Sequence, residues 1–152
     1  MMKPSQNCYK ILREFEGRKL KAYQDSAGIW TIGYGTTYYP DGAPVKKGDS
    51  ITIDRADFLL TWQVLTKSGE VDKLVNVSQN KFDALVSFAY NVGTTALKKS
   101  TLLKKIKTDS SDPAIEQEFL KWNKDQNAKG ELVEVPGLTK RRQAEADLYF
   151  TP

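Results

Sequence analysis

The chain of 152 residues contains no histidine and a single cysteine, Cys8. One cysteine excludes an intramolecular disulfide. With no imidazole beside it, a zinc-type site built from His and Cys is excluded too, and neither a metal nor another cofactor is expected. Cys8 reads as a small buried apolar residue on the first helix. No apolar run approaches the roughly 18 residues needed to cross a membrane. The opening residues MMKPSQNCYK lack the apolar centre of a secretory signal, although a signal cut from a longer precursor would leave no trace. Internal repeats and low-complexity segments are absent. The string GYGTT at 33–37 lacks the GxGxxG pattern of a phosphate loop.

What is present is enough for one folded domain, or for two small lobes sharing a helix. Six Phe, seven Tyr and three Trp in a chain that is 39% hydrophobic argue against disorder. Lys and Arg number 23 against 19 Asp and Glu, a net charge of +4. That balance suits an anionic partner at low salt, such as bacterial wall, nucleic acid or acidic membrane. Ordinary solubility accounts for so small an excess equally well.

The spacing of Cys8, Ile11, Leu12 and Phe15 predicts a helix over 4–16, with Ser5 as N-cap and Gly17 as its stop. Lys21 to Tyr23 and Ile29 to Tyr34 read as short strands around the turn residues Asp25, Ser26 and Gly28. The stretch 37–50 reads as loop, with Val45 in a third short strand. All β-signals fall in this first third. Thr52 opens a long helix reaching toward residue 76, with Gly69 its weak point. Ser78 caps the next helix, which ends at Gly93. Ser100 caps a short helix to Lys107. Asp112-Pro113 opens another to about Trp122. Residues 124–137 read as an exposed loop, and a last helix spans 138–150. On that helix Arg141 and Arg142 stand at the right spacing to pair with Glu145.

The stretch FEGRKLKAYQDSAGIWTIGYG places Glu16, Asp25 and Thr31 on three neighbouring elements. Two carboxyls and a hydroxyl are the parts that glycosidic hydrolysis needs. One carboxyl protonates the leaving oxygen, and the other stays ionised to handle water or the developing charge on the sugar. A hydroxyl can hold the attacking water by donating and accepting at once. Glu16 falls in the last turn of its helix, against the negative end of the helix dipole. That position disfavours the ionised form and suits a general acid. In a chain that is 28% charged, Glu and Asp nine positions apart mean little alone, and a solvated surface carboxylate is the ordinary reading of either.

The context is more specific. LREFEGRKLKAYQDSAGIWTIGYGT at 12–36, NKFDALVSFAYNVGTTALKKSTLLKKI at 80–106, FLKWN at 119–123 and PGLTKRRQAEADLY at 136–149 together resemble the phage-type lysozymes, glycoside hydrolase family 24. The resemblance covers nearly the whole chain. It implies an α+β lysozyme fold in one domain of 1–152. A β-containing lobe, about 15–58, would be joined by a long helix to a helical lobe, about 76–152 with 1–14, and the active cleft would lie between them. It implies cleavage of the β-1,4 bond between N-acetylmuramic acid and N-acetylglucosamine in peptidoglycan, with inversion. Glu16 would be the acid, Asp25 the second carboxylate and Thr31 the water-orienting hydroxyl. Tyr90, Asn91 and Ser100 would bind sugar, although Tyr90 also suits an apolar helix face, Asn91 a helix end and Ser100 an N-cap. Thr36 stands where many members have a structural His, so a pH-dependent contact is lost and not the chemistry. A monomer is expected, with no nucleic-acid partner and no stable membrane insertion. As an endolysin it would wait in the host cytoplasm and reach the wall through a holin; a removed signal would make it secreted or periplasmic. A lytic transglycosylase and a non-catalytic wall-binding domain are the alternatives. The first needs an acid but no water-holding pair, and the second needs none of the three residues.

Overall fold

A computed structural model describes residues 1–152. In chain order the elements are α1 (Gln6–Glu16), β1 (Lys19–Gln24), β2 (Trp30–Gly33), α2 (Ile53–Asp72), α3 (Gln79–Val92), α4 (Thr94–Lys99), α5 (Thr101–Thr108), α6 (Ile115–Leu120), β3 (Lys124–Gln126), β4 (Leu132–Glu134) and α7 (Pro136–Tyr149). This is the mixed α+β composition that the sequence predicts. The residues group into two compact units, one of Leu12–Thr66 and one of Met1–Ile11 with Lys67–Pro152.

The unit Leu12–Thr66 is built on the antiparallel pair β1–β2, with Tyr23 opposite Thr31 and Gln24 opposite Trp30. On its other edge β1 meets a third extended segment. Ala22 donates its N–H to Asp49 O at 2.9 Å, and Ile51 donates to Leu20 O at 2.8 Å. The third strand-like piece is therefore centred on Ser50, bridged to Lys21, and not on Val45. Next to Val45, Pro44 makes only an isolated antiparallel bridge to Tyr38, flanked by bonds from Val45 N to Thr37 O at 3.0 Å and from Tyr39 N to Ala43 O at 2.9 Å. Thr52 caps α2, its Oγ1 accepting from Arg55 N at 3.1 Å. The helix stops at Asp72, short of the expected 76, where β-branched Val75 and Val77 flank Asn76. Thr36 is fully buried and donates to Gln63 Oε1 on α2 at 2.8 Å, a neutral bond indifferent to pH near neutrality.

In the helical unit α3 is the central element, with every residue from Phe82 to Ala89 buried. It packs on α7, which in turn packs on α6. Phe88 meets the edges of Phe119 and Trp122 at 5.8 and 5.5 Å between centroids. Two expected helix caps depart from expectation in different ways. Ser78 holds the N-cap position of α3 without a side-chain cap bond. Asp112 spends its carboxylate on Ala114 N at 2.9 Å, so α6 begins at Ile115, not at Pro113. The short helix α4 lies in a stretch the sequence reading left unassigned.

The expectation that all strands lie in the first third is wrong. β3 and β4 form a second hairpin inside the predicted loop, pairing Lys124 with Glu134 and Gln126 with Leu132. Its three-residue strands are exposed on both faces, so no alternation of apolar and polar residues marks them.

One charged cluster is sealed into this unit. The Glu145 carboxylate lies 2.8 Å from Arg142 Nε and 3.3 Å from Arg141 Nε, as the i,i+3 and i,i+4 spacing predicts. It also accepts from Ser87 Oγ on α3 at 2.5 Å. Burial pushes the Glu145 carboxyl upward, against the pull of the two guanidinium groups. Removing one member of a buried ion group leaves the others uncompensated. Glu145→Ala is expected to lower the stability of the protein by about 3–5 kcal/mol, measured as the shift in urea unfolding. A loss under about 1 kcal/mol would mean that the arginines find other partners.

Candidate active site

Glu16, Asp25 and Thr31 all fall in the unit Leu12–Thr66. Glu16 is the last residue of α1, half-buried, and Gly17 follows with φ of 66° to release the chain from the helix. Asp25 opens the loop between β1 and β2, also half-buried. Thr31 is the second residue of β2 and only 4% exposed.

The loop determines what each group can do. Asp25 N donates to Ile29 O and Gly28 N to Asp25 O, both at 2.9 Å, and Gly28 sits at φ of 80°. This is a three-residue hairpin turn with glycine at its left-handed position. The Asp25 side chain closes it from inside, since Oδ1 accepts from both Ala27 N and Ile29 N at 2.9 Å. One carboxylate oxygen is thus held by backbone, which sets the direction of the other.

The second hairpin repeats the arrangement with a neutral residue. Asn127 N donates to Glu131 O and Gly130 N to Asn127 O, while Asn127 Oδ1 accepts from Lys129 N and Glu131 N at 2.9 and 3.0 Å. Closing the turn therefore needs a side-chain carbonyl oxygen and no charge. The negative charge of Asp25 is surplus to folding.

Thr31 differs from expectation in one respect. Its Oγ1 donates to Ile29 O at 2.9 Å, so the hydroxyl proton is committed and only lone pairs remain for a further partner. The hydroxyl is an acceptor here, not donor and acceptor at once.

Tyr23 links the three. It is the cross-strand partner of Thr31 and stands two residues before Asp25. Burial raises its phenol above the usual range, and the charges of Glu16 and Asp25 push it the same way. Both carboxylates therefore lie within electrostatic reach of one side chain. The sequence reading passed over Tyr23, although the two-residue strand period back from Asp25 points to it.

Tyr90, Asn91 and Ser100 belong to the helical unit. Tyr90 is half-buried and Asn91 exposed, both in the last turn of α3, where Gly93 and not Asn91 forms the C-cap. Asn91 Oδ1 accepts from Arg142 Nη2 at 2.9 Å, which ties its amide to the buried ion cluster. Ser100 is 4% exposed, accepts from Leu103 N at 3.0 Å and donates to Leu97 O at 2.7 Å. It is the N-cap of α5. A cavity of about 420 Å³ opens beside Asn91, walled by Trp122, Leu132 and Leu138. Leu132 comes from the hairpin that sequence periodicity does not reveal. No cluster of His, Cys, Asp and Glu in the structure could hold a metal ion.

Comparison with known proteins identifies the family. The family model "Phage lysozyme" matches residues 13–145. The endolysin of Acyrthosiphon pisum secondary endosymbiont phage 1 is 38% identical over 141 residues, 91% of this chain and 92% of that protein. The endolysin of Bacillus phage B103 is 42% identical over 99% of this chain, which spans about half, 55%, of that longer protein. Among solved structures, an endolysin from Escherichia coli O157:H7 phage FAHEc1 superposes with a TM-score of 0.88 at 42% identity, covering 98% of this chain and 94% of that one. The muramidase domain of SpmX from Asticaccaulis excentricus gives 0.85 at 30% identity, with full coverage of both chains. A family model that matches 13–145, an endolysin 38% identical over nearly the whole of both chains and a solved endolysin structure of the same fold place the chain in the phage lysozyme family of glycoside hydrolases.

Proposed function

We propose that the protein is a muramidase that lyses bacteria by hydrolysing the β-1,4 bond between N-acetylmuramic acid and N-acetylglucosamine, with inversion. The observation that carries the reading is the division of labour on the β1–β2 hairpin. Asp25 has one oxygen occupied by backbone N–H groups and the other left over. Thr31 has its proton occupied and its lone pairs left over. A water donating one hydrogen to Asp25 and one to Thr31 Oγ1 keeps its own lone pair for the anomeric carbon. Glu16 protonates the leaving oxygen from the end of α1. Asp25 takes a proton from the water as it attacks, and its charge steadies the oxocarbenium-like transition state. The site uses no cofactor.

Tyr90 and Asn91 are the proposed sugar contacts, an aromatic face and an amide of the kind that orients ligands in clefts. Ser100, spent on its helix, contributes by holding the start of α5 in place. The lytic transglycosylase reading is weaker, since a sugar hydroxyl as nucleophile needs no water-holding pair. The enzyme would act alone on the wall, released from the host cytoplasm as an endolysin. Digestion of purified peptidoglycan, with mass spectrometry of the muropeptides, tests the bond: reducing N-acetylmuramic acid ends are expected, and 1,6-anhydro ends would select the transglycosylase.

Glu16→Gln keeps the size of the side chain and loses the transferable proton. Turnover is expected to fall by roughly 10²–10⁴-fold. Activity above about a tenth of wild type would remove Glu16 as the acid.

Asp25→Asn is expected to unfold at the same denaturant concentration as wild type, because Asn127 closes the equivalent turn. Its activity is expected to fall by about two orders of magnitude or more, as for loss of a catalytic base. Asp25→Ala loses both turn and charge and should be less stable as well. Thr31→Ala should cost less activity than Asp25→Asn, and Thr31→Ser less again. Full activity of Thr31→Ala on peptidoglycan would take the hydroxyl out of the mechanism.

Inversion is read from the first products. NMR of the freshly cut reducing end is expected to show the α-anomer before mutarotation, with the two carboxyls roughly 6.5–9.5 Å apart to admit water. An early β-anomer, or a glycosyl ester trapped on Asp25, would indicate retention.

A further inference from the structure

Arg142 is fully buried, and three groups hold its guanidinium. Its Nε lies 2.8 Å from the Glu145 carboxylate, its Cζ lies 5.0 Å from the centroid of the Phe88 ring, and its Nη2 donates to Asn91 Oδ1 at 2.9 Å. A guanidinium has N–H donors and no acceptor. It therefore takes the oxygen of the Asn91 amide and turns the Nδ2 group to the other side. Asn91 is exposed, so the NH2 end is what it presents to solvent. Residue 91 is a donor whose direction is fixed from the interior.

Neither the helix nor the ion cluster calls for an amide here. Gly93 forms the C-cap of α3, its N–H donating to Ala89 O. An aspartate at 91 would give Arg142 a charge-assisted bond, which is stronger than a neutral one. What asparagine has and aspartate lacks is the NH2 group. The cavity of about 420 Å³ beside it narrows what that group meets. Val92, Trp122, Leu132 and Leu138 give the cavity apolar walls. Leu132 is 68% exposed, apolar surface that the fold itself does not use. The charged groups of the lining offset one another: Lys121 is paired with Glu118 at 2.8 Å, and Lys124 and Asp125 bring opposite signs.

The seat thus joins a neutral donor to apolar surface. An acylamino group matches it, with a strong neutral acceptor on an apolar frame. A sugar hydroxyl brings no apolar part, and a carboxylate meets no net positive charge. We propose that Arg142 is a positioning residue that makes Asn91 a donor seat for the carbonyl oxygen of an acylamino group of the substrate. In peptidoglycan that chemistry occurs in the acetamido groups of the sugars and in the amide bonds of the stem peptide. The inference rests on the muramidase reading, with Asn91 as a substrate contact.

The test uses the full chain, assayed on peptidoglycan and followed by NMR with isotope-labelled asparagine. Asn91→Asp is expected to unfold at the same urea concentration as wild type or a higher one, because the carboxylate keeps Arg142. Its KM is expected to rise about tenfold, the loss falling on KM rather than kcat. Wild-type KM, or a lower urea midpoint, would overturn the donor assignment. Arg142→Lys keeps the charge opposite Glu145 and loses the fork that reaches Asn91. It should raise KM in the wild-type background and not in Asn91→Ala; additive losses would overturn the positioning role. Where Arg142→Lys does not fold, the urea midpoint of Asn91→Asp decides that contact. In the titration, the Nδ2 signal that Asn91→Asp lacks is expected to shift with an N-acetylated chitooligosaccharide or a soluble muropeptide. A shift with the first assigns the acetamido group, and a shift with the second alone assigns the stem peptide. An equal shift with the fully deacetylated oligosaccharide would overturn the acylamino group as partner. An unmoved signal in an enzyme that cuts peptidoglycan would overturn the seat and leave the muramidase reading intact. A shifted signal in a protein that cuts no peptidoglycan would do the reverse.

Discussion

The β1–β2 hairpin depends on one carboxylate oxygen. Asp25 Oδ1 gathers Ala27 N and Ile29 N, and so sets the turn that pairs Tyr23 with Thr31. Folding uses one oxygen of the carboxylate and leaves the other for the proposed chemistry. The oxygen that closes the turn loses its freedom to rotate, which aims its twin without an additional residue. Rigid placement of a reacting group is worth far more than its mere presence. Asn127 closes the same turn without charge, so the turn calls for a side-chain oxygen and not for a carboxylate.

The helical unit is organised by a different constraint. Glu145 is a fully buried carboxylate whose company is two arginines and a serine hydroxyl. Such a cluster fixes α7 against α3, because any slip would strand a charge away from water. It also reaches the surface. Arg142 holds Asn91 at the end of α3, so an exposed amide is oriented from the buried interior. Elsewhere the molecule dispenses with charge. Thr36 and Gln63 make a neutral contact, and that contact does not titrate near neutral pH.

Most of the helices and the family were legible in the sequence because each rests on a local signal. Apolar spacing from Cys8 to Phe15 marks α1, Thr52 caps α2, Gly93 ends α3 and Ser100 caps α5. Misreadings arose where local signals were absent or ambiguous. The hairpin β3–β4 is too short and too exposed to carry a pattern. Asp112 was read as a helix cap, and its carboxylate closes a turn instead. Ser78 holds a cap position without making the cap bond. A polar side chain near a helix start has several backbone donors within reach, and sequence does not choose among them.

By itself the sequence determined which groups the protein has to work with. It contains Glu16 at the end of α1, Asp25 and Thr31 on the β1–β2 hairpin, no imidazole, and a 25-residue stretch whose only charges are lysines. These are matters of composition and order along the chain. Tertiary structure decided how each group is spent. It committed the Thr31 proton to Ile29, one oxygen of Asp25 to the turn and the Asn91 amide to Arg142. It also turned the leucines of α4 and α5 inward and left four lysines facing water. Hydrogen-bond donors and acceptors are shared out by distance and angle in space, and a residue's remaining capacity follows only once its folded neighbours have taken theirs.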